Sequence, residues 1–258
     1  MFVIIAVVAL LASLLTFFSG FGLGTLLLPV FALFFDLETA IALTAIVHFL
    51  NNLFKFILVY KKISTKIVLN FGVPSLILAF AGAWLLKQFT ITEPLFSYNI
   101  SGHTFSVSLI GLTIGVLMLL FSLWEVIPYF KNISFGKNSL VWGGALSGFF
   151  GGLSGHQGAL RSAFLVRLNL EKEVFIGTGI AIACMVDVAR LSIYSTTIRK
   201  ELIIQNSFLL LTAILSAWVG ALIGNKLLKK TTYGFIKWFV FIFMGVISLL
   251  IISGILNK

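Results

Sequence analysis

An apolar run from Leu140 to Val166 is interrupted by Gly151-Gly152-Leu153-Ser154-Gly155-His156-Gln157-Gly158-Ala159-Leu160-Arg161, and no other stretch restricts the fold more tightly. Glycine weakens a helix by about 1 kcal/mol per residue relative to alanine, so four glycines within eight residues predict a break. In hydrocarbon, backbone groups freed by a break are tolerated only where they face protein or a water-filled cavity. A polar interruption of an apolar run therefore predicts a binding site. A second interruption, Ser19-Gly20-Phe21-Gly22-Leu23-Gly24-Thr25, lies near the N-terminus.

Such runs need a membrane around them, and the composition agrees. Of 258 residues, 60% are hydrophobic and 10% charged, against about 25% charged in soluble domains. The formal charge of +10 suits basic loops held at an anionic leaflet, and no basic stretch interleaved with aromatics points to nucleic acid. Cys184 is the single cysteine, which excludes an intramolecular disulfide and a cysteine metal cluster. The first apolar run, Phe2 to Phe18, lacks the basic n-region of a secretory signal and is expected to stay in the mature protein. No lipidation signature is read at either end, and no cofactor is expected.

About 20 apolar residues cross a bilayer. That ruler predicts an all-α polytopic membrane protein of about eight transmembrane helices. The first is the broken unit Phe2–Phe35, with Pro29 early in its second half-helix and Asp36 and Glu38 closing it. Spans at Thr39–Tyr60, Val68–Leu86 and Phe105–Trp124 follow, with a polar loop holding Glu93, Pro94 and His103 before the last of these. A second broken unit, Leu140–Leu168, is followed by Val174–Tyr194, Leu202–Leu228 and Phe235–Leu256. Sliding the chain by 134 positions brings Gly24 onto Gly158, Thr44 onto Thr178, Tyr60 onto Tyr194 and Ala83-Trp84 onto Ala217-Trp218. The chain thus reads as a first repeat at 1–124, a cytoplasmic connector at 125–138 and a second repeat at 139–258. Four spans per half imply halves that run parallel. Lys61, Lys62, Lys66, Lys131, Lys137, Arg199 and Lys200 then share one side, which the positive-inside rule makes cytoplasmic together with both termini. Lys226, Lys229 and Lys230 fall on the wrong side in this arrangement.

A charge at the bilayer centre costs roughly 2.5–3.5 kcal/mol on insertion scales, so intramembrane polar residues need a reason. His48, Asn51, Asn52 and Lys55 share one helical face, and Asp187, Arg190 and Tyr194 share another. These are candidates for coupling or gating. Structural readings stand beside that one: an Asp187–Arg190 ion pair that locks the bundle, a snorkelling Lys55, and His48, Asn51 and Asn52 as interhelical glue. Each break is followed by a half-helix whose N-terminus carries free N–H groups and about half a positive charge. The expected ligand is a small oxyanion held by Gly20, Gly22, Gly24 and Thr25 from one break and by Ser154, Gly155, His156, Gln157, Gly158 and Arg161 from the other. His48 or His156 could also carry a proton.

These residues resemble the TauE/SafE family of sulfite exporters, the toluene-sulfonate uptake permease superfamily. The resemblance covers nearly the whole chain and rests on both glycine breaks, Thr44 and Thr178 in the helices after them, and Gly82-Ala83-Trp84 at the end of the third span. It implies a bacterial inner-membrane permease for sulfur-containing anions such as sulfite or organosulfonates. Pro29 has no counterpart, Ala163 standing in its place, and His156-Gln157 replaces the small residues common elsewhere in the family. Two other classes compete. An anion channel or a non-transporting membrane assembly factor would need no substrate-dependent flux. An intramembrane serine protease is suggested by Gly152-Leu153-Ser154-Gly155 and by the His48 to Asn52 spacing, but no histidine follows His156 to serve Ser154 as base. The oligomeric state is left open.

Overall fold

The apolar runs fold as helices whose limits follow local chemistry. A computed structural model describes residues 1–19, 22–127, 139–196, 200–227 and 234–256. The first break separates α1 (Phe2–Ser19) from α2 (Leu23–Ala32). Asp36 caps α3 (Leu37–Val59), its carboxylate accepting from Thr39 N at 2.9 Å. Then comes α4 (Thr65–Thr90), which carries a π-helical turn at Val68–Gly72. Ser108 caps α5 (Leu109–Val126) by accepting from Gly111 N at 3.1 Å. The second break separates α6 (Leu140–Ser154) from α7 (Gly158–Leu165), and α8 (Lys172–Tyr194), α9 (Lys200–Gln205), α10 (Ser207–Leu227) and α11 (Gly234–Ile252) complete the chain. Leu37–Val59, Thr65–Thr90, Lys172–Tyr194 and Ser207–Lys226 are long and apolar enough to cross a membrane. On α4, Leu69, Val73, Ile77, Phe80 and Trp84 are exposed in one stripe, as are Phe208, Leu211, Leu215, Val219 and Leu222 on α10. Apolar stripes of this extent mark faces turned to lipid.

The polar loop before α5 is a two-stranded ribbon, where the sequence reading has only a loop. Its strands β1 (Phe96–Ile100) and β2 (His103–Val107) pair antiparallel, from Phe96 opposite Val107 to Ile100 opposite His103. Ser101 and Gly102 turn the chain with φ of 52° and 83°, the positive values a two-residue hairpin turn requires. Tyr98 donates to Ser253 O, so the ribbon covers the C-terminal end of α11. We call this the ribbon end of the bundle, and the opposite end the lysine end.

Neither broken unit runs through the bundle. In the first, α1 starts at the ribbon end, where Phe2 meets Phe208 at the start of α10. It descends to Ser13 and Thr16 beside the middle of α3, and α2 climbs back to the ribbon end to feed Asp36 and α3. In the second, α6 enters at the lysine end parallel to α4, with Gly144, Gly148 and Gly152 seated on Phe71, Ser75 and Ala79 in turn. The chain reverses at Gly155, and α7 returns until Phe164 lies on Gly143 and Leu165 joins Ile67 and Phe71. Both units are hairpins that enter from opposite ends. Helices α3, α4 and α5 follow the first hairpin, and α8, α10 and α11 follow the second.

The folded-back hairpins redistribute the charges. Lys62 pairs with Glu173 at 3.3 Å where α3 ends and α8 begins. Lys61, Lys66, Lys172 and Lys226 share that lysine end, so Lys226 joins the other lysines instead of opposing them. Lys200, at the start of α9, moves to the ribbon end with Lys87, Asp36, Glu38 and Glu93. Lys131, Lys137, Arg199, Lys229 and Lys230 lie outside the described residues, as does most of the 125–138 connector.

The hairpins are seated by missing side chains. A Cβ at Gly144, Gly148 or Gly152 would collide with the backbone of α4, and one at Gly220 with Leu10 O on α1. Small residues let helices approach to backbone contact in lipid, where packing replaces the hydrophobic drive. All four of these glycines sit inside a helix. Only Gly155, at φ +78°, breaks α6.

Candidate functional site

The two hairpin tips meet at the centre of the bundle. A Cβ built on Gly22 would lie 3.9 Å from Gly155 O and 3.1 Å from His48 Nε2. Gly22 is the extended N-cap of α2, and Gln157 is the N-cap of α7; neither helix receives a side-chain cap. In the first turn of α2, Thr25 N is taken up by Gly22 O at 3.0 Å, which leaves the N–H groups before it, and those opening α7, without an intrahelical acceptor. The partial positive charges of the two termini face the same region. Gly24 lies against Thr44 and His48, and Thr25 is buried beside it. Gly20 lies outside the described residues.

Side chains from α3 and α8 fill the space behind the tips. Asp187 is fully buried and accepts from His48 Nδ1 at 2.7 Å and from Asn52 Nδ2 at 3.0 Å. Its other oxygen lies 2.9 Å from Arg190 Nη2, close enough for an ion pair but not aligned as a hydrogen bond. Arg190 is 2% exposed, and its Nη1 lies 2.5 Å from where a Cβ on Gly155 would be. The guanidinium therefore reaches the second tip through the gap a glycine leaves. Arg190 Nε, Gln157 Nε2, His156 Nε2 and Thr44 Oγ1 are buried without a hydrogen-bond partner. Two are committed donors, and buried donors left unpaired are costly unless something completes them.

The expected residues divide into three groups. His48, Asn52, Asp187 and Arg190 join one cluster that links the halves, so the ion pair and the interhelical hydrogen bond both exist. Asn51 and Lys55 are buried but turn to α1. Lys55 Nζ donates to Ser13 O at 3.1 Å and to Thr16 Oγ1 at 2.8 Å, and does not snorkel. The Asn51 amide, oriented by its neighbours, donates to Ser13 Oγ at 2.9 Å and accepts from Lys55 Nζ at 3.3 Å. Arg161 stands apart from the tip, one turn into α7: its Nη1 donates to Gln157 Oε1 at 3.5 Å, and its Nε lies by Gly179. Ser154 Oγ donates to Phe150 O at 3.0 Å, and among the described residues no imidazole nitrogen hydrogen-bonds it, as the protease reading needs. His156 Nδ1 lies 3.0 Å from Ser154 O, and its ring stacks on Phe121 at 5.9 Å. Gly158 opens α7.

Three features escape the sequence reading. Asn52 and Asp187 are 135 positions apart, as are Lys55 and Arg190; a register one residue longer than the glycine match would have paired them. Phe121 carries no signal beyond its place in an apolar run. The third is a cavity of about 450 Å³ at the ribbon end, lined by Asp36, Glu38, Lys87, Thr90, Leu43 and Tyr194 among others. Tyr194, one turn past Arg190, donates to Gly152 O at 2.8 Å. Thr178 proves structural, accepting from Ser64 N at 2.9 Å.

A family model described as "Sulfite exporter TauE/SafE" matches residues 5–251. No curated protein and no solved structure matches the chain.

Proposed function

The chain belongs to the sulfite exporter TauE/SafE family, and from that premise we propose that it carries a small sulfur oxyanion of the sulfite class through a site between the two hairpin tips. The protein is a multi-pass membrane transporter, and its exposed apolar stripes are turned to lipid. The observation that carries the finer reading is the meeting of the two uncapped tips, Gly22 against Gly155 O, with the buried Arg190 guanidinium against Gly155. Backbone N–H groups present donors at fixed geometry, and the helix dipoles favour negative charge. Arg190 adds a full charge with a planar set of donors suited to oxyanions. Gln157 Nε2 supplies a further donor. Arg161 serves by orienting Gln157. The cavity at the ribbon end supports a route from that side, with Tyr194 standing one turn above the guanidinium.

Orientation follows from the redistributed lysines. Lys61, Lys62, Lys66, Lys172 and Lys226 at one end make it the cytoplasmic end in a bacterial inner membrane, and both termini then lie on the outer side. Six helices cross, and two hairpins dip in from opposite faces, as inverted repeats of about 1–124 and 139–258.

The test is exchange of labelled sulfite in proteoliposomes. Wild-type protein is expected to exchange external for internal sulfite, with protein-free vesicles as the baseline. Arg190→Gln is expected to reduce exchange about a hundredfold, as loss of charged hydrogen bonds totalling ~2.7 kcal/mol would. Unchanged exchange by Arg190→Gln of normal size-exclusion profile would remove the site from the tips.

A further inference from the structure

We propose that the His48–Asp187 pair is a proton site that loads together with the anion, making transport proton-coupled; this rests on the anion site placed at the hairpin tips. His48 is 2% exposed and Asp187 fully buried. They join α3 of one half to α8 of the other at 2.7 Å, directly behind both tips. The bond to Asp187 assigns the ring hydrogen to Nδ1, so Nε2 is an acceptor. That nitrogen lies 3.4 Å from Asn52 Nδ2, a long contact, and on its other side looks onto Gly22, 3.1 Å from where a Cβ would stand.

Charge balance supplies the reason. With His48 neutral, Asp187 and Arg190 cancel within the cluster. Of the neighbouring cations, Lys55 is held on the α1 side by Ser13 O and Thr16 Oγ1, and Arg161 lies a turn into α7 against Gln157. An anion added beside Arg190 leaves one uncompensated negative charge in a low-dielectric interior, which is costly. A proton taken up on His48 Nε2 converts the ring to imidazolium and restores neutrality, with Asp187 already placed to accept from Nδ1. Release of the anion withdraws the partner charge, and the proton leaves from the same nitrogen. Proton and anion therefore favour each other's binding, and this linkage is reciprocal.

The groups facing His48 allow this. From α8 come Asp187 and Arg190; from the second tip, His156 (its Nδ1 engaged with Ser154 O); from α3 itself, Asn52 and the more distant Lys55. Gly22 and Gly24 are what α2 presents. Asn52 occupies the repeat position of Asp187, so this central pair has a single carboxylate.

The experiment uses proteoliposomes holding the full chain, with the membrane potential clamped by potassium and valinomycin. Labelled sulfite is followed in two modes: exchange at equal pH, and accumulation driven by an alkaline interior. Wild-type protein is expected to do both above protein-free vesicles. His48→Gln keeps an amide that can donate to Asp187 but takes up no proton. Its exchange is expected to fall, because the bound anion then lacks its compensating proton, and the exchange that remains is expected to show no pH dependence. Its pH-driven accumulation relative to exchange is expected to fall about tenfold, within the range typical of coupled sites. A His48→Gln protein that exchanges and still accumulates sulfite as wild type does would overturn the coupling. If that variant fails to fold, wild-type protein decides: exchange without pH-driven accumulation also overturns it. Absence of exchange in the wild type defeats the carrier reading itself, and the coupling with it.

Discussion

The two halves place equivalent residues in equivalent positions and then use them differently. In each, a buried cation on the long helix after the hairpin reaches the end of the hairpin's first arm. In the first half Lys55 meets neutral oxygens, Ser13 O and Thr16 Oγ1, at a helix end where carbonyls and the dipole favour positive charge. In the second half Arg190 meets a carboxylate and the open flank of Gly155. The paired amide and acid behind them, Asn52 and Asp187, differ in the same direction. One half is a neutral latch, while the other holds the charge that can answer a ligand. On the proposed reading, one centre then does the work, because matching helix positions carry side chains of different chemistry.

Three changes break or sharpen this comparison. Orientation gives the largest effect, since the readout is all-or-none. In a Cys184→Ser background, Ser97→Cys is expected to react with an impermeant maleimide on intact cells. Lys62→Cys and Lys226→Cys are expected to react only after permeabilisation; labelling of Lys62→Cys and Lys226→Cys from opposite sides would rule out the antiparallel halves. The tips come next. Gly155→Ala forces a side chain into the left-handed region, at a cost of roughly 1–2 kcal/mol, and drives it against Arg190. Its sulfite exchange should fall about tenfold or more, equivalent to ~1.4 kcal/mol of barrier. Gly22→Ala, in extended backbone with 3.1 Å to His48 Nε2, should lose less, and the reverse ranking would contradict the assignment of the working centre to the second half. Lys55→Met gives the smallest effect on transport. Losing its charged hydrogen bonds should lower stability by roughly 1–3 kcal/mol in chemical denaturation. Exchange per folded molecule should stay within about threefold, or ~0.7 kcal/mol, and a larger loss would make the latch part of the site.

Much of this was legible before any coordinates. Apolar run length gave the helices, because hydrocarbon enforces backbone pairing within each segment. Glycine density located both breaks. Direction was not legible: 10 residues of α2 after 18 of α1 have the same length whether they continue across or fold back. Only the neighbours, α10 beside α1 and α4 beside α6, decide it. Reading each broken unit as a single crossing is what made the halves parallel and set Lys226 apart from the other lysines. Glycines at four-residue spacing were ambiguous for a related reason, since Gly144, Gly148 and Gly152 suit a close helical contact as well as a break. Ser101-Gly102 between alternating apolar residues did carry a hairpin signal, hidden by the expectation of an all-α chain. At the site, residue types were readable and partners were not: Asn52 and Lys55 differ by less than one turn, yet face different helices.

The glycine seams between the hairpins and their neighbours bear on how such a molecule can switch. Where backbone lies directly on backbone, there is no layer of rotamers to repack, so α6 travels with α4 and α1 travels with α10. Each of these blocks takes one arm from either half, which means the halves are cross-braced and cannot swing apart as halves. Gly177 of α8 makes the same kind of contact with Val59 O and Lys62 O at the lysine end of α3, which leaves the side-chain-filled stretch around Asp187 as the part of the α3–α8 contact that rotamers can repack.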